Sequence, residues 1–358
     1  MIGAEERARQ MSGRTISNSK YRVLLMLMVI ILIALALLAL CTGRYTVKIS
    51  DVIKLLWSKF LTLFGGEGLE ASWDPMAEGV VFTLRLPRIA AAMLIGGALS
   101  LSGAAYQGVF KNPLVSPDIL GVSTGACVGA AIAILLHLNS VGIQLLAFIS
   151  GIVTVLLTVA IPKLMRNDSV TMLVLAGVIV SGIMSSLMGV IKYLADPETE
   201  LADITYWQMG SFAKVTDTDV LTVALPILAA AALLIAMRWQ INILSLGDSE
   251  AKTLGVKIGV VRGVIIFCAT LLTACAVCIC GTIGWVGLVI PHLSRMLVGP
   301  DNIKSVPIAF VLGGVFMLIV DTVARALTTL EIPLSILTGL IGAPFYLYIL
   351  VKQRMKMS

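Results

Sequence analysis

The sequence predicts an all-α integral membrane protein with about ten transmembrane helices. Three observations carry this. Hydrophobic residues make up 58% of the 358 residues and charged residues only 13%, against roughly a quarter charged in soluble domains. The mean hydropathy is +1.00, so lipid must be most of the solvent. Apolar residues also fall in runs of about 20, the length of a spanning helix, where an outer-membrane barrel would show alternation over segments of about ten.

Candidate spans are 23–43, 87–109, 114–136, 141–163, 170–192, 218–237, 259–279, 284–297, 305–327 and 333–351. The first follows a basic lead of Arg7, Arg9, Arg14, Lys20 and Arg22. Its uncharged run exceeds the roughly 7–15 residues of a signal-peptide core. Leu40 before Cys41 is not the small residue of a lipoprotein site, so a retained span is expected. The stretch 263–294 has no charged residue and is too long for one crossing at about 1.5 Å per residue. Gly281, Gly284 and Gly287 interrupt it, which predicts two crossings, the second short.

Parity supports that division. With the N-terminus inside, 17 of the 26 basic residues share the inside with 7 of the 20 acids, and 9 share the outside with 13 acids. Loops rich in Lys and Arg stay cytoplasmic, so both termini are predicted cytoplasmic. The expected organisation is a cytoplasmic N-terminal segment 1–22, a single transmembrane domain 23–351 and a cytoplasmic tail 352–358. Within the domain, 44–84 is expected to be external and 238–258 cytoplasmic. The net charge of +6 then reports orientation, and no nucleic-acid partner is implied.

Several chemistries find no support. No G-x-x-x-x-G-K-[ST] loop occurs, so the chain has no ATP site of that kind. His137 and His292 lack plausible companion ligands, and Cys275, Cys278 and Cys280 fall in an apolar span without charged neighbours. No cofactor or metal is expected on this chain. The span centres are almost neutral, Asp321 and Arg325 being the nearest exceptions, which counts against an ion-gradient transporter and a membrane enzyme.

Some residues invite two readings each. Arg85 and Arg88 at the mouth of the second span, and Arg325 near the outer end of the ninth, are either bare cations for a docking protein's carboxylates or snorkelling anchors. Asp321, four residues before Arg325, offers that arginine a local pair. Asn112-Pro113-Leu114 and Val115-Ser116-Pro117 break the chain at the inner side. Gly121, Gly125 and Gly129, and Gly281, Gly284 and Gly287, recur at helical spacing, which suits close packing or a smooth path for a bulky ligand. Met184, Ser185 and Met188 are candidates for lining such a path. In the stretch from Leu246 to Gly255, Asp248 is placed to cap a short amphipathic helix and Gly255 to end it.

At 84–130 the sequence reads LRLPRIAAAMLIGGALSLSGAAYQGVFKNPLVSPDILGVSTGACVGA. This resembles the FecCD-type ABC permeases, importers of iron-siderophores, haem and cobalamin, whose members share R-L-P-R and N-P-L-x-x-P-x-x-L-G-x-x-x-G-A blocks. The resemblance continues through Leu246-Gly247-Asp248, Leu254-Gly255, Gly284-Trp285-Val286-Gly287, Pro291-His292 and Asp321-Thr322-Val323-Ala324-Arg325, and covers nearly all of the chain after residue 80. Trp285 stands where Phe is commoner.

The resemblance implies a type II ABC importer permease in the bacterial cytoplasmic (inner) membrane. Its implied partners are two ABC ATPase subunits that hold ATP-Mg, an extracytoplasmic substrate-binding protein, and a second permease copy or paralogue. Leu246, Gly247, Asp248, Glu250, Ala251, Leu254 and Gly255 would form the ATPase coupling segment. Arg85, Arg88 and Arg325 would dock the binding protein. Asn112, Leu114, Val170 and Thr171 would lie near the cytoplasmic gate. An iron-siderophore is the expected cargo, with cobalamin or haem as alternatives.

Overall fold

The computed structural model describes residues 16–43, 45–66, 73–167, 169–328 and 330–354. Residues 1–15 of the predicted N-terminal segment, 355–358 of the tail, and Arg44 and 67–72 of the external segment lie outside these.

Among the described residues the chain is helical, with irregular stretches between some of the helices. Helix α1 (Asn18–Cys41) opens at Ser17, whose hydroxyl accepts the amide of Lys20. Two helices lie among the described residues of the segment predicted to be external. Helix α2 (Ile49–Leu63) buries Val52 and Leu55 and leaves Ile49, Ile53, Trp57 and Phe60 exposed. Helix α3 (Pro75–Gly79) starts at the Asp74 cap and runs through the π-helical turns Val80–Arg85 into α4 (Leu86–Phe110).

The chain then breaks. Lys111 takes a left-handed conformation, a 3-10 turn covers Pro117–Leu120, and Gly121 at φ 84° leads into α5 (Val122–Leu135). The first part of the predicted span 114–136, up to Gly121, is therefore not α-helical. Next come α6 (Ser140–Leu164), α7 (Val170–Leu194), α8 (Glu200–Met209) and α9 (Asp217–Ala236). Two short helices, α10 (Arg238–Leu246) and α11 (Asp248–Thr253), precede α12 (Ile258–Cys280). The expected interruption follows, and then α13 (Val286–Val298), α14 (Asn302–Ala326) and α15 (Leu334–Arg354).

Among the described residues, seven stretches are long and apolar enough to cross a membrane: α1, the run Pro75–Phe110, α6, α7, α9, α12 and α14. Helices α5, α13 and the Leu334–Ile349 part of α15 are apolar but shorter. Together they account for the positions of the ten predicted spans.

Helix α4 is the axis of the bundle and is buried nearly throughout, packed by α14, α12, α13 and α9. Its small residues make this possible. A Cβ at Gly103 would strike the carbonyl oxygen of Gly287 on α13, so the two backbones touch there. Gly125 and Gly129 likewise admit α6 against α5, as their spacing predicted. The second glycine series behaves differently. Gly281 and Gly284 lie in the break before α13, and only Gly287 is on that helix, so the three share no helical face. Nothing lies within 4 Å of a Cβ at Gly284, which is therefore not a packing residue.

Helix ends gather at two opposite ends of the bundle. At the Arg85 end, Arg325 donates to Ala39 O at 2.5 Å and Gln144 donates to Asp219 at 2.8 Å. At the Lys111 end, Lys304 donates to Ile16 O at 2.6 Å, and the amide of Asn302 donates to the Asn242 side chain at 3.0 Å. Helices α10 and α11 lie at the Lys111 end.

Candidate translocation cavity and coupling surface

A cavity of about 400 Å³ opens between the two irregular breaks. The first break and α5 contribute Asp118, Ser123, Thr124 and Cys127, and α7 contributes Met184, Ser185 and Met188. Gln208 near the end of α8, with Thr282 and Gly284 from the second break, completes the wall. All three predicted pathway residues thus face one space. Met184 and Met188 are one helical turn apart, which puts both on the same side of α7.

Among the described residues the wall has one acidic side chain, Asp118, and no Lys, Arg or His. The Ser123 hydroxyl donates to the Asp118 carboxylate and orients it. Asp118 was not singled out from the sequence. The available signal was an acid inside a predicted span, a rare placement that marks ion or substrate routes.

The predicted gate residues lie at the Lys111 end. Asn112 and Leu114 form the exposed turn after α4, where the Asn112 side chain accepts the Leu114 amide at 2.9 Å. Val170 and Thr171 form the first turn of α7, which Ser169 caps through the Met172 amide. Gln107 braces the turn from inside: its amide donates to Val115 O at 3.1 Å, and its own oxygen accepts from Arg295 at 2.5 Å. The Tyr346 hydroxyl donates to Pro113 O at 3.4 Å.

In the stretch predicted to be the coupling segment, Leu246, Glu250, Leu254 and Gly255 are exposed, while Gly247 and Ala251 are buried and fix it to the bundle. Gly255 ends the turn with φ +75°, as its position predicted. Asp248 does not cap α11. Gly247 occupies the cap with no side-chain bond, and the Asp248 carboxylate turns to Lys111 and Arg262, each at 2.9 Å. Partial desolvation pushes the Asp248 carboxyl up, but hydrogen bonds from Arg262 and Lys111 outweigh it and hold the group below the usual carboxylate range.

The three arginines are not bare cations. Arg85 is 5% exposed and donates to Leu40 O at 2.5 Å and to Tyr45 O. Arg88 is 9% exposed and pairs with Asp321 and Glu331, each at 2.7 Å. Arg325 donates to Ala39 O and lies 3.9 Å from Asp321, so the expected local pair is the looser of the two contacts that Asp321 makes. With their guanidinium groups committed inside the chain, these residues present no free fork to a docking protein. Charge at a span edge looks the same in sequence whether the partner is lipid, a second protein or a distant acid.

The sequence profile of the FecCD transport family spans residues 29–352. The chain belongs to this family. The FecCD chain is 41% identical to the molybdate import system permease protein MolB of Haemophilus influenzae, over 86% of this chain and 89% of that protein. It is 36% identical to a probable iron chelatin transport system permease protein of Helicobacter pylori, covering 82% and 94%. A solved metal-chelate type ABC transporter in an inward-facing conformation superposes with a TM-score of 0.82 at 38% identity, over 92% of this chain and 99% of that one. This protein is therefore a multi-pass ABC importer permease of the cytoplasmic membrane.

Proposed function

We propose that the chain carries an iron chelate, with an iron-siderophore as the first candidate, across the membrane through the cavity walled by α5 and α7. The observation that supports this reading is the wall itself. It offers methionine thioethers, hydroxyls, an amide and one carboxylate, but no cation. A bare oxyanion needs fixed positive charge or several converging donors. A large chelate with its metal enclosed needs a wide surface with few strong binding points. An opening of about 400 Å³ on one subunit suits half of such a route, with a second permease copy or a paralogue supplying the other half.

In this reading two ABC ATPase subunits bind the exposed coupling surface at Leu246, Glu250 and Leu254, and those subunits hold and hydrolyse ATP-Mg. An extracytoplasmic binding protein delivers the cargo at the Arg85 end. The turn at Asn112 and Leu114, with Val170 and Thr171, opens and closes the inner side.

Molybdate is the second reading, favoured by the 41% identity to a molybdate permease. The two are separated by reconstituting the chain in liposomes with the ATPase and the binding protein encoded beside it. Uptake of a radioiron ferric trihydroxamate, hemin, cobalamin and radiolabelled molybdate is then followed with and without ATP. ATP-dependent uptake of the ferric chelate alone is expected. Uptake of molybdate without the chelate would replace the first reading by the second, and uptake of hemin or cobalamin alone would retain the chelate class but change its member.

A further inference from the structure

Asp248, the first residue of α11, ties three elements together. Its Oδ1 accepts from Lys111 Nζ at 2.9 Å, and its two oxygens accept from Arg262 Nη2 at 3.0 and 2.9 Å. Lys111 immediately precedes the turn at Asn112 and Leu114, and Arg262 belongs to the first turns of α12. The bridge therefore joins the exposed coupling segment to the chain break that leads down to the cavity.

Three features make this more than a surface ion pair. Arg262 is nearly buried, with its side chain 12% exposed, and its Nε has no hydrogen-bond partner, so Asp248 supplies its neutralisation. Lys111 is held at φ 53°, a conformation that costs a non-glycine residue energy unless its surroundings hold it there. Gly247, at φ 152°, joins α11 to α10 through a backbone conformation that glycine adopts most easily. Helix α11 is thus set off from α10 by a glycine joint and pinned sideways by charge.

The grips on the turn divide by origin. Gln107 holds Val115, and Tyr346 holds Pro113, from helices inside the bundle. Of these grips, the Lys111–Asp248 contact is the one that ends on the coupling segment. A push on α11 reaches the turn by this contact without passing through the packed core.

We infer that the Lys111–Asp248–Arg262 bridge is a positioning device that passes displacement of α11 to the turn at Asn112 and Leu114. The inference rests on the reading of α10 and α11 as the ATPase-binding surface. A plain brace would stabilise the Lys111 end equally in all states and would leave the response to nucleotide unchanged. A transmitting bridge is needed only when the ATPase moves.

The test uses Leu114→Cys as a reporter in the full assembly with its ATPase in nanodiscs. The cysteine's rate of modification by a water-soluble maleimide is measured with and without ATP plus vanadate. The parent is expected to change its rate with nucleotide. Lys111→Met is expected to lose at least about fivefold of that change while ATP hydrolysis stays within about twofold, and Lys111→Arg is expected to restore it. If Lys111→Met fails to assemble, Lys111→Gln, which removes the charge but keeps a donor, is read the same way. A full response to nucleotide in the charge-removed chain overturns the bridge, as does a parent whose turn ignores nucleotide. A parent chain that recruits no ATPase overturns the coupling reading itself, and the two failures are distinguished by the hydrolysis measurement.

Discussion

Arg88 on α4 reaches Asp321 on α14 across 233 positions of sequence, with Nε at 2.8 Å and Nη2 at 2.7 Å from the same carboxylate oxygen. Asp321 is fully buried, its second oxygen has no hydrogen-bond partner, and Glu331 closes over the other side of the guanidinium. The pair fastens the two helices that pack most extensively in the bundle.

Removing one member strands the other. Arg88→Ala is expected to destabilise the chain by about 3–5 kcal/mol, the usual cost of an uncompensated buried charge. Arg88→Lys is expected to rescue little, because a single ammonium does not reproduce two fork contacts plus the Glu331 bond. The double change Arg88→Met with Asp321→Leu is expected to recover only part of the loss, because buried Arg325, 3.9 Å from Asp321, loses that carboxylate. Thermal unfolding in detergent reads all three, and a wild-type melting temperature for Arg88→Ala would refute the assignment.

The cavity assignment predicts a separation of transport from hydrolysis. Ser185→Trp fills the space from an exposed position on α7, so the fold should tolerate it. Chelate uptake is expected to fall about tenfold or more, a barrier of roughly 1.4 kcal/mol, with ATPase turnover retained. Asp118→Asn keeps the acceptor for Ser123 and removes the charge, and is expected to raise the tolerance for anionic cargo in competition assays.

The coupling surface is best attacked where it is free of intrachain work. Glu250→Lys with Leu254→Asp changes exposed side chains only, whereas any change at Asp248 also breaks its bonds to Lys111 and Arg262. Co-purification of the ATPase with the double variant is expected to drop by about tenfold, since an exposed Leu that docking would cover and a charge are both lost from the contact. Undiminished co-purification would move the ATPase site elsewhere.

The Asp248 carboxyl predicts a pH dependence with a definite sign. Its pKa in the folded chain lies below the ordinary value, so its ion pairs contribute stability above that ordinary value, about 3.9. The contribution is lost as pH falls through the lower folded value. The melting temperatures of wild type and Asp248→Asn should differ by a constant amount from about pH 8 to pH 5 and converge below about pH 4. Convergence on the alkaline side instead would assign the effect to another group.

The membrane character, the interruption at 281–285 and the glycine seam of α5 were legible because each is a local pattern, a run length or a spacing. So was the grouping of Met184, Ser185 and Met188, which one helical turn brings together. Of the partners of Arg85, Arg88 and Arg325, only Asp321 for Arg325 was legible, four residues away on one helix; the others come from α1, Tyr45, α14 and the segment before α15, and no periodicity links those to the arginines they meet. The same holds for Asp248, whose position suited a cap until Lys111 and Arg262 arrived from other elements. In the segment predicted to be external, charges hid α2, whose apolar residues serve two faces at once, Val52 and Leu55 inward and Ile53 and Trp57 outward.

The short length of α5 and α13 has an electrical consequence. With 14 and 13 residues, each falls well short of the roughly 30 Å of hydrocarbon that a spanning helix must cross. The irregular backbone that makes up the difference must border protein or water, and beside Asp118 and Gly284 it borders the cavity. Water admitted to that cavity would conduct, and the membrane voltage would then not fall evenly across the protein. It would be concentrated across whichever layer remains sealed. A cargo with net charge would do its electrical work, about 2.3 kcal/mol per charge per 100 mV, in crossing that thin seal, and the position of the seal would set when in the cycle that work is done.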